Sequence, residues 1–129
     1  MTTNEPTRSI LIVEDEPALL EVTCLNVESL GYSVQSANSP LEALEILKSG
    51  TSTIWLLITD VVMPEMNGKR LFEAAVDLVP DLLCLYVSGY PADIVGKRGI
   101  IPEEVHFLEK PFTRAQLKEN IETIQAEGA

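Results

Sequence analysis

Carboxylates follow two strongly apolar segments of this sequence, and this pattern is the first indication of chemistry. Glu14 and Asp15 come directly after the apolar residues 9–13, and Asp60 closely follows the apolar run at residues 54–58. An unpaired carboxylate is expensive to bury, so each is expected to meet water, a metal ion or an opposite charge at the end of its segment. Three carboxylates brought together could bind a divalent cation, and one of them could act as a nucleophile.

Two further polar side chains follow later apolar segments. Ser88 comes directly after residues 82–87 and could donate a hydroxyl hydrogen bond, and Lys110 follows residues 105–108 and could supply a positive charge. A carboxylate nucleophile, a divalent cation, an ammonium group and a hydroxyl donor are the groups that phosphoryl transfer requires. Hard carboxylate oxygens favour Mg²⁺. The sequence therefore predicts a Mg²⁺-dependent site at which Asp60 attacks phosphorus.

Each of these residues also has an ordinary structural interpretation. The acidic residues after the first apolar run could favour a helix N-terminus. Asp60 and Ser88 could belong to turns, and Lys110 could be a solvated surface lysine. Their coincidence at the ends of successive apolar segments favours the functional interpretation. His106 is assigned no catalytic role, and Trp55 is assigned to packing.

Composition indicates one folded domain. The chain has 129 residues, of which 46% are hydrophobic, and we expect a domain at residues 9–125 with flexible segments at residues 1–8 and 126–129.

A net charge of -11 would repel nucleic-acid phosphates, so no direct nucleic-acid binding is expected. No apolar run approaches the roughly 20 residues of a membrane helix and no signal peptide is evident, so we expect a cytoplasmic protein. Cys24 and Cys84 are expected to be reduced thiols.

The segments between the apolar strands show the spacing of amphipathic helices. The first helix is predicted to begin at Pro17 and to end at Gly31, because proline suits the first helical turn and glycine the position after the last. Its expected buried face consists of residues spaced along one side of a helix, namely Leu19, Val22, Val27 and Leu30.

Three more segments have amphipathic helical patterns. Their expected buried residues are Pro40, Ala43, Leu44 and Leu47; then Leu71, Phe72, Ala75, Leu78 and Val79; and finally Leu117, Ile121 and Ile124. Thr113 and Gln116 predict a capping box at the start of the last helix. Residues 92–101 favour only a weak fourth helix, because Gly96 and Gly99 lower helix propensity.

Alternating strands and helices predict an α/β fold with a parallel sheet covered on both faces. The most apolar strands belong in the centre of the sheet, whereas the polar residues 33–37 and the short segment 105–108 belong at its edges. The expected architecture is a flavodoxin-like, doubly wound, five-stranded parallel sheet with strand order 2-1-3-4-5. Its topological switch point lies between the first and third strands, so Glu14, Asp15 and Asp60 should share one crevice.

The chain resembles the receiver domains of response regulators from residue 10 to about residue 124. The matching motifs occur in order at the ends of successive strands: Glu14-Asp15, Asp60 with Met63-Pro64 and Gly68, Ser88, and Lys110-Pro111-Phe112. The resemblance implies that Asp60 accepts a phosphoryl group from a histidine kinase or a histidine phosphotransfer protein, with Lys110 and Ser88 assisting. It also implies that phosphorylation switches partner binding.

The resemblance further implies how the metal and water reach the site. Asp15 and Asp60 would bind Mg²⁺ directly together with the backbone carbonyl of Val62, whereas Glu14 would act mainly through water. Val62 and Tyr90 would flank the approach of the water that hydrolyses the aspartyl phosphate. Neither side chain is well suited to orient a water, so a comparatively long-lived phosphoprotein is expected.

Other implications of the resemblance concern the switch and its partners. Phe107 occupies the position of a switch aromatic residue, and the peptide between Lys110 and Pro111 should be cis. Residues 88–90 are similar to those of receivers attached to hybrid histidine kinases. The surface for a downstream partner would lie on the fourth predicted helix, the fifth strand and the fifth helix.

Two alternative functions use the same groups. A Mg²⁺-dependent phosphatase of the haloacid dehalogenase type also forms an aspartyl phosphate. The motif of that class is Asp-x-Asp, and Val62 stands here at the position of the second aspartate. A degenerate receiver would bind partners without phosphorylation, and the intact set of site residues counts against it. We therefore expect self-catalysed phosphoryl acceptance and hydrolysis rather than turnover of an external substrate.

Overall fold

The computed structural model describes residues 8–50, 53–89 and 105–128. The elements in this part of the chain are β1 (Arg8–Val13), α1 (Pro17–Ser29), β2 (Ser33–Ala37), α2 (Pro40–Ser49), β3 (Thr53–Asp60), α3 (Gly68–Leu78), β4 (Leu83–Ser88), β5 (His106–Glu109) and α4 (Arg114–Gly128). The weak helix predicted at residues 92–101 lies outside the described residues. Helix α4 extends beyond residue 125, the predicted end of the domain, and the domain boundaries stay a prediction.

The five strands form one parallel sheet with the order β2-β1-β3-β4-β5. The predicted flavodoxin-like order 2-1-3-4-5 is therefore confirmed. The register places Val13 of β1 opposite Thr59 of β3, and Asp60 opposite Val87 of β4. The carboxyl ends of β1, β3 and β4 consequently meet at the same edge of the sheet.

Alternate residues of the central strands pack into two separate cores, one on each face of the sheet. The first core joins Ile10, Ile12, Leu56 and Ile58 to Val27 of α1 and to Leu117, Ile121 and Ile124 of α4. The second joins Leu11, Val13 and Leu57 to Ala43 and Leu47 of α2 and to Leu71 and Ala75 of α3. Both faces of β1 and β3 are thus buried, as their continuous apolar runs predicted.

Helix α1 buries a different side from the one predicted. Leu20 and Cys24 pack against the first core and Val27 is fully buried, whereas Leu19 is 39% and Val22 is 54% exposed. The prediction that Leu19 and Val22 belong to the buried face is wrong, and so is the predicted burial of Leu78 on α3, which is 39% exposed. Apolar residues occur on more than one side of α1, so helical spacing alone does not select the side that packs.

Helices α2 and α4 both begin with side-chain caps, and that of α4 is the predicted capping box. The N–H of Glu42 donates to Ser39 Oγ at 3.1 Å at the start of α2. In the capping box of α4, the N–H of Gln116 donates to Thr113 Oγ1 at 3.1 Å, and the N–H of Thr113 donates to Gln116 Oε1 at 2.8 Å. The start of α4 is thereby fixed a few residues after β5.

The described residues also bear on the predictions about membrane helices and cysteines. None of the described helices combines the length and the apolar character needed to cross a membrane. Cys24 and Cys84 are half-buried and form no disulfide in the described part of the chain, which agrees with reduced thiols.

Candidate functional site

Asp60 is the last residue of β3, and hydrogen bonds hold the backbone that follows it. The N–H of Val61 donates to the carbonyl of Val87 on β4 at 2.9 Å, and the N–H of Gly68 donates to the carbonyl of Val61 at 2.8 Å. The side chain of Asn67 caps the first turn of α3. Asp60 itself is only 8% exposed, so its carboxylate projects from a fixed and largely buried position.

The acidic pair after β1 provides one buried and one exposed carboxylate. Glu14 is 5% exposed, its N–H donates to the carbonyl of Ala37 on β2 at 3.2 Å, and its Oε2 accepts from the N–H of Glu16 at 3.2 Å. Asp15 is exposed. One carboxylate oxygen from each of Glu14, Asp15 and Asp60 lies within 4.8 Å of the others. The structure thus gathers the three carboxylates that the topology predicted to share a crevice.

Lys110 supplies a positive charge to this acidic cluster. Its Nζ donates a hydrogen bond to Asp60 Oδ2 at 3.2 Å and another to Glu14 Oε1. Its backbone N–H donates to the carbonyl of Ser88 at 2.7 Å, and the peptide between Lys110 and Pro111 is cis, as predicted. Lys110 is therefore a direct counter-ion for two of the three carboxylates.

Burial and charge shift the titration of this pair. Burial raises the pKa of Glu14 above its ordinary value of 4.5, although the hydrogen bond and charge of Lys110 act in the opposite direction. Burial alone would lower the pKa of Lys110, but its contacts with Glu14 and Asp60 outweigh burial and raise that pKa above 10.5. Lys110 thus stays protonated at neutral pH, while ionised Glu14 is costly to the metal-free fold.

We expect Glu14→Gln to stabilise the metal-free protein increasingly as pH rises above 4.5. A buried acid with a raised folded-state pKa destabilises the folded protein as pH rises from the unfolded-state pKa to the folded-state pKa. The full loss of stability persists at higher pH. The amide does not titrate, so parent and variant should differ little below pH 4.5. Urea unfolding in EDTA between about pH 4 and pH 8 measures this difference.

The matched control for this prediction is Glu45→Gln, which removes one carboxylate from an exposed position on α2. It accounts for the change in net charge without disturbing the acidic cluster. A stability difference between parent and Glu14→Gln that does not vary with pH would contradict the prediction.

The acidic cluster fits a small divalent cation. Its three side chains offer only hard carboxylate oxygens, which are the ligands that Mg²⁺ prefers. One of the three is exposed, which suits an ion that keeps several waters when it binds. These residues could therefore hold a divalent ion next to Asp60 and Lys110.

The other predicted site residues occupy neighbouring strands and loops or lie outside the described part of the chain. Ser88 is buried at the end of β4, and Phe107 of β5 is half-buried opposite Tyr86 of β4. Val62 is 46% exposed in the loop after Asp60. Tyr90 lies outside the described residues. The roles predicted for these residues stay predictions.

Sequence reasoning missed an apolar groove beside the cluster. This groove has a volume of about 390 Å³ and is lined by Leu19, Val22, Thr23, Asn26, Lys110, Pro111 and Phe112. The signal that could have revealed it is the presence of apolar residues on more than one side of α1, since only one side can face the core. The groove reaches Lys110 and therefore adjoins Asp60.

Comparisons with known proteins identify a family. The protein-family model of the response regulator receiver domain matches residues 10–122. The chain is 37% identical over 109 residues to the sensor kinase CckA of Brucella abortus, which covers 84% of this chain but only 12% of the kinase. It is 31% identical over 115 residues to the response regulator receiver protein CpdR of the same organism, which covers 89% of this chain and 94% of CpdR.

Solved structures share the fold. A response regulator receiver protein from Sinorhizobium medicae has a TM-score of 0.81 at 29% identity, covering 98% of this chain and 100% of that one. The receiver domain of the hybrid histidine kinase CckA has a TM-score of 0.73 at 34% identity, covering 90% and 96%. With its sheet order and its acidic cluster, this chain belongs to the response regulator receiver domain family of two-component signalling.

Proposed function

We propose that Asp60 accepts a phosphoryl group from a phosphohistidine of a histidine kinase or histidine phosphotransfer protein. The observation that carries the proposal is the arrangement around Asp60. Lys110 Nζ lies 3.2 Å from its Oδ2, and oxygens of Glu14 and Asp15 lie within 4.8 Å. Phosphoryl transfer depends mainly on positioning and on neutralising charge, which a nucleophile, a fixed cation and metal-ligating oxygens can provide.

The proposed reaction forms one bond and breaks one. A carboxylate oxygen of Asp60 bonds to phosphorus while the bond from phosphorus to the donor's histidine nitrogen breaks, and the released imidazole takes a proton from solvent. Bound Mg²⁺ would supply charge neutralisation, held directly by Asp15, Asp60 and the Val62 carbonyl and through water by Glu14. Lys110, which contacts Asp60 and Glu14, would neutralise charge on the phosphoryl oxygens.

Ser88 and Phe107 are proposed to convert phosphorylation into a change of surface. Ser88 would donate its hydroxyl hydrogen bond to the phosphoryl group. Phe107 packs against the small apolar cluster formed by Val61 and Tyr86, and Val61 directly follows Asp60. The downstream partner would bind β5, α4 and the predicted helix at residues 92–101.

Incubation with Mg²⁺ and acetyl phosphate, followed by intact-mass measurement, tests the proposal. A persistent adduct of one phosphoryl group supports a phosphoacceptor. Sustained release of phosphate from a phosphoester would instead indicate the Mg²⁺-dependent phosphatase, and no change in mass would indicate a degenerate receiver. We expect the adduct and no turnover of an external substrate.

The apolar groove beside Lys110 is proposed as the docking surface of the phosphodonor. A donor that places its histidine over Asp60 must lie against the surfaces next to Lys110. The exposed side chains of Leu19 and Val22 and the ring of Phe112 make this neighbouring surface apolar. An amphipathic helix of the donor, laid along α1, would match such a groove.

We expect Val22→Glu to slow phosphoryl transfer from a phosphorylated histidine phosphotransfer protein by about tenfold or more, because it buries a charge in the proposed interface. Phosphorylation by acetyl phosphate should be unchanged, since a small donor needs no docking surface. Rapid-quench transfer rates measure the effect. Leu41→Glu, at an exposed position of α2, is the matched control. Equal losses with both donors would contradict a docking role for Val22.

We expect the variant with both Val62→Asn and Tyr90→Glu to lose its phosphate several-fold faster than the parent. Polar side chains at these positions could orient the attacking water, and a gain of about 1 kcal/mol in positioning corresponds to roughly fivefold in rate. The decay of phosphorylated protein in Mg²⁺ buffer provides the measurement. Val62→Leu should decay like the parent, and an equal or slower decay of the double variant would disprove control by these side chains.

The proposed location is the cytoplasm, because phosphohistidine donors are made with ATP. Two architectures agree with the comparisons. Similarity to CckA supports a place within a hybrid histidine kinase, and similarity over nearly the whole of CpdR supports a separate regulator.

A further inference from the structure

We infer that Thr59 is a positioning residue that holds the Asp60 carboxylate in place, an inference that rests on the proposed phosphoacceptor function. Thr59 is fully buried, and its hydroxyl donates a hydrogen bond to the backbone carbonyl of Asp60 at 3.0 Å. Neighbouring residues of a strand face opposite sides of the sheet, so Thr59 acts on Asp60 through the backbone and not through the carboxylate.

The position of this hydrogen bond explains why a donor is needed there. The pairing of β1 with β3 ends at Val13 and Thr59, one residue before Asp60. The Asp60 carbonyl therefore lies beyond the last pair of that ladder, and a buried carbonyl requires a partner. The Thr59 hydroxyl provides it from within the same strand.

Gly68 confines the same carbonyl from the α3 side. A Cβ atom at residue 68 would lie 2.5 Å from the Asp60 carbonyl oxygen and 3.2 Å from both Thr59 Cγ2 and Val61 Cα. Glycine is needed for so close an approach. The peptide after Asp60 is thus held by the Thr59 hydroxyl, by the contact with Gly68 and by the hydrogen bonds of Val61 to Val87 and Gly68.

Loss of this restraint should act on the chemistry. Rotation of the peptide would move the Asp60 side chain away from Lys110 Nζ, now 3.2 Å from its Oδ2, and away from the other carboxylates. A misplacement of about 1 Å in a reacting group can cost about 10²-fold in rate. A valine at residue 59 would keep the packing but lose the hydrogen bond.

The first test compares Thr59→Val with Thr59→Ser in the full chain. At saturating Mg²⁺, Thr59→Val should take phosphate from acetyl phosphate about tenfold more slowly than the parent, and Thr59→Ser should restore the rate to within about twofold. Ser9→Ala, which removes another buried residue's hydroxyl at the far end of β1, should keep the parental rate. A parental rate in Thr59→Val would overturn the inference.

The second test needs neither Mg²⁺ nor phosphorylation. In Thr59→Val, the amides of Val61 and Gly68 should exchange with solvent at least tenfold faster than in the parent, while the amide of Leu57 keeps its protection. A general loss of stability would accelerate all three amides, and unchanged exchange at Val61 and Gly68 would overturn the inference. This result stands even if the parent takes no phosphate, an outcome that would refute the proposed function alone.

Gly68→Ala covers the case in which Thr59→Val does not fold. It keeps the Thr59 hydroxyl but must displace the Asp60 carbonyl, since the added Cβ would lie 2.5 Å from it. It should therefore slow phosphorylation in the same direction, and a parental rate in folded Gly68→Ala would overturn the inference as well.

Discussion

Asp60→Asn is expected to reduce phosphate uptake by more than about 10³-fold, which corresponds to about 4 kcal/mol of transition-state stabilisation. An amide oxygen is a far poorer nucleophile than a carboxylate, and it carries no charge for a cation to balance. Both losses fall on the atom that must bond to phosphorus. Intact mass after incubation with acetyl phosphate and Mg²⁺ measures the uptake, and circular dichroism establishes that the variant is folded.

The matched control is Asp77→Asn, which makes the same substitution at an exposed position on α3 and should leave uptake unchanged. Peptide mapping of the parent provides a second check, because the phosphate must be on Asp60. A phosphate on His106 of β5, whose Nε2 lies 2.9 Å from Glu127 Oε1, would overturn the assignment of Asp60.

Much of the fold could be predicted because the central and edge strands differ in how apolar their residues are. The continuous apolar run at residues 9–13 can only be buried on both faces, and the polar segment at residues 33–37 suits only an edge. Right-handed connections then leave few possible strand orders, and the observed order is the predicted one. The gathering of the three carboxylates followed from that order.

The packing of α1 could not be predicted in the same way. Leu19 and Val22 have as good a helical spacing as Leu20 and Cys24, and only the docking of α1 on the sheet decides between them. The exposed pair is the one that lies beside the candidate site. An excess of apolar residues on a helix is thus ambiguous in sequence, and here it marks a surface rather than the core.

The finer properties of the site depend on side-chain geometry that the sequence does not encode locally. Glu14 and Asp15 are neighbours, yet one is buried against Lys110 and the other is exposed. The sequence assigned Thr59 no role, because a hydroxyl that bonds to the next residue's carbonyl leaves no mark in residue type or spacing. Motifs thus indicated which groups meet, and the structure shows which of them are held in place.

Lys110→Ala is expected to change two properties of the site in opposite directions. Phosphorylation by acetyl phosphate should slow by about 10²-fold or more, the size of loss seen when one group that stabilises transition-state charge is removed. Mg²⁺ binding should instead tighten by about tenfold, about 1.4 kcal/mol. Lys110 Nζ contacts Asp60 and Glu14, so it competes with a bound cation for the same carboxylates.

Because the phosphorylation rate and the Mg²⁺ affinity are expected to change in opposite directions, measuring both distinguishes the possible roles of Lys110. Isothermal titration with Mg²⁺ and the rate of mass increase are measured on the same preparations, with Lys118→Ala as the control for losing one positive charge at an exposed position of α4. If Lys110 mainly held the carboxylates in position, its removal would weaken Mg²⁺ binding as well as phosphorylation. If it acted only as a surface charge, the two lysine variants would behave alike. Only an ammonium that balances the carboxylates before phosphorylation and the phosphoryl oxygens during it gives tighter metal binding together with slower chemistry.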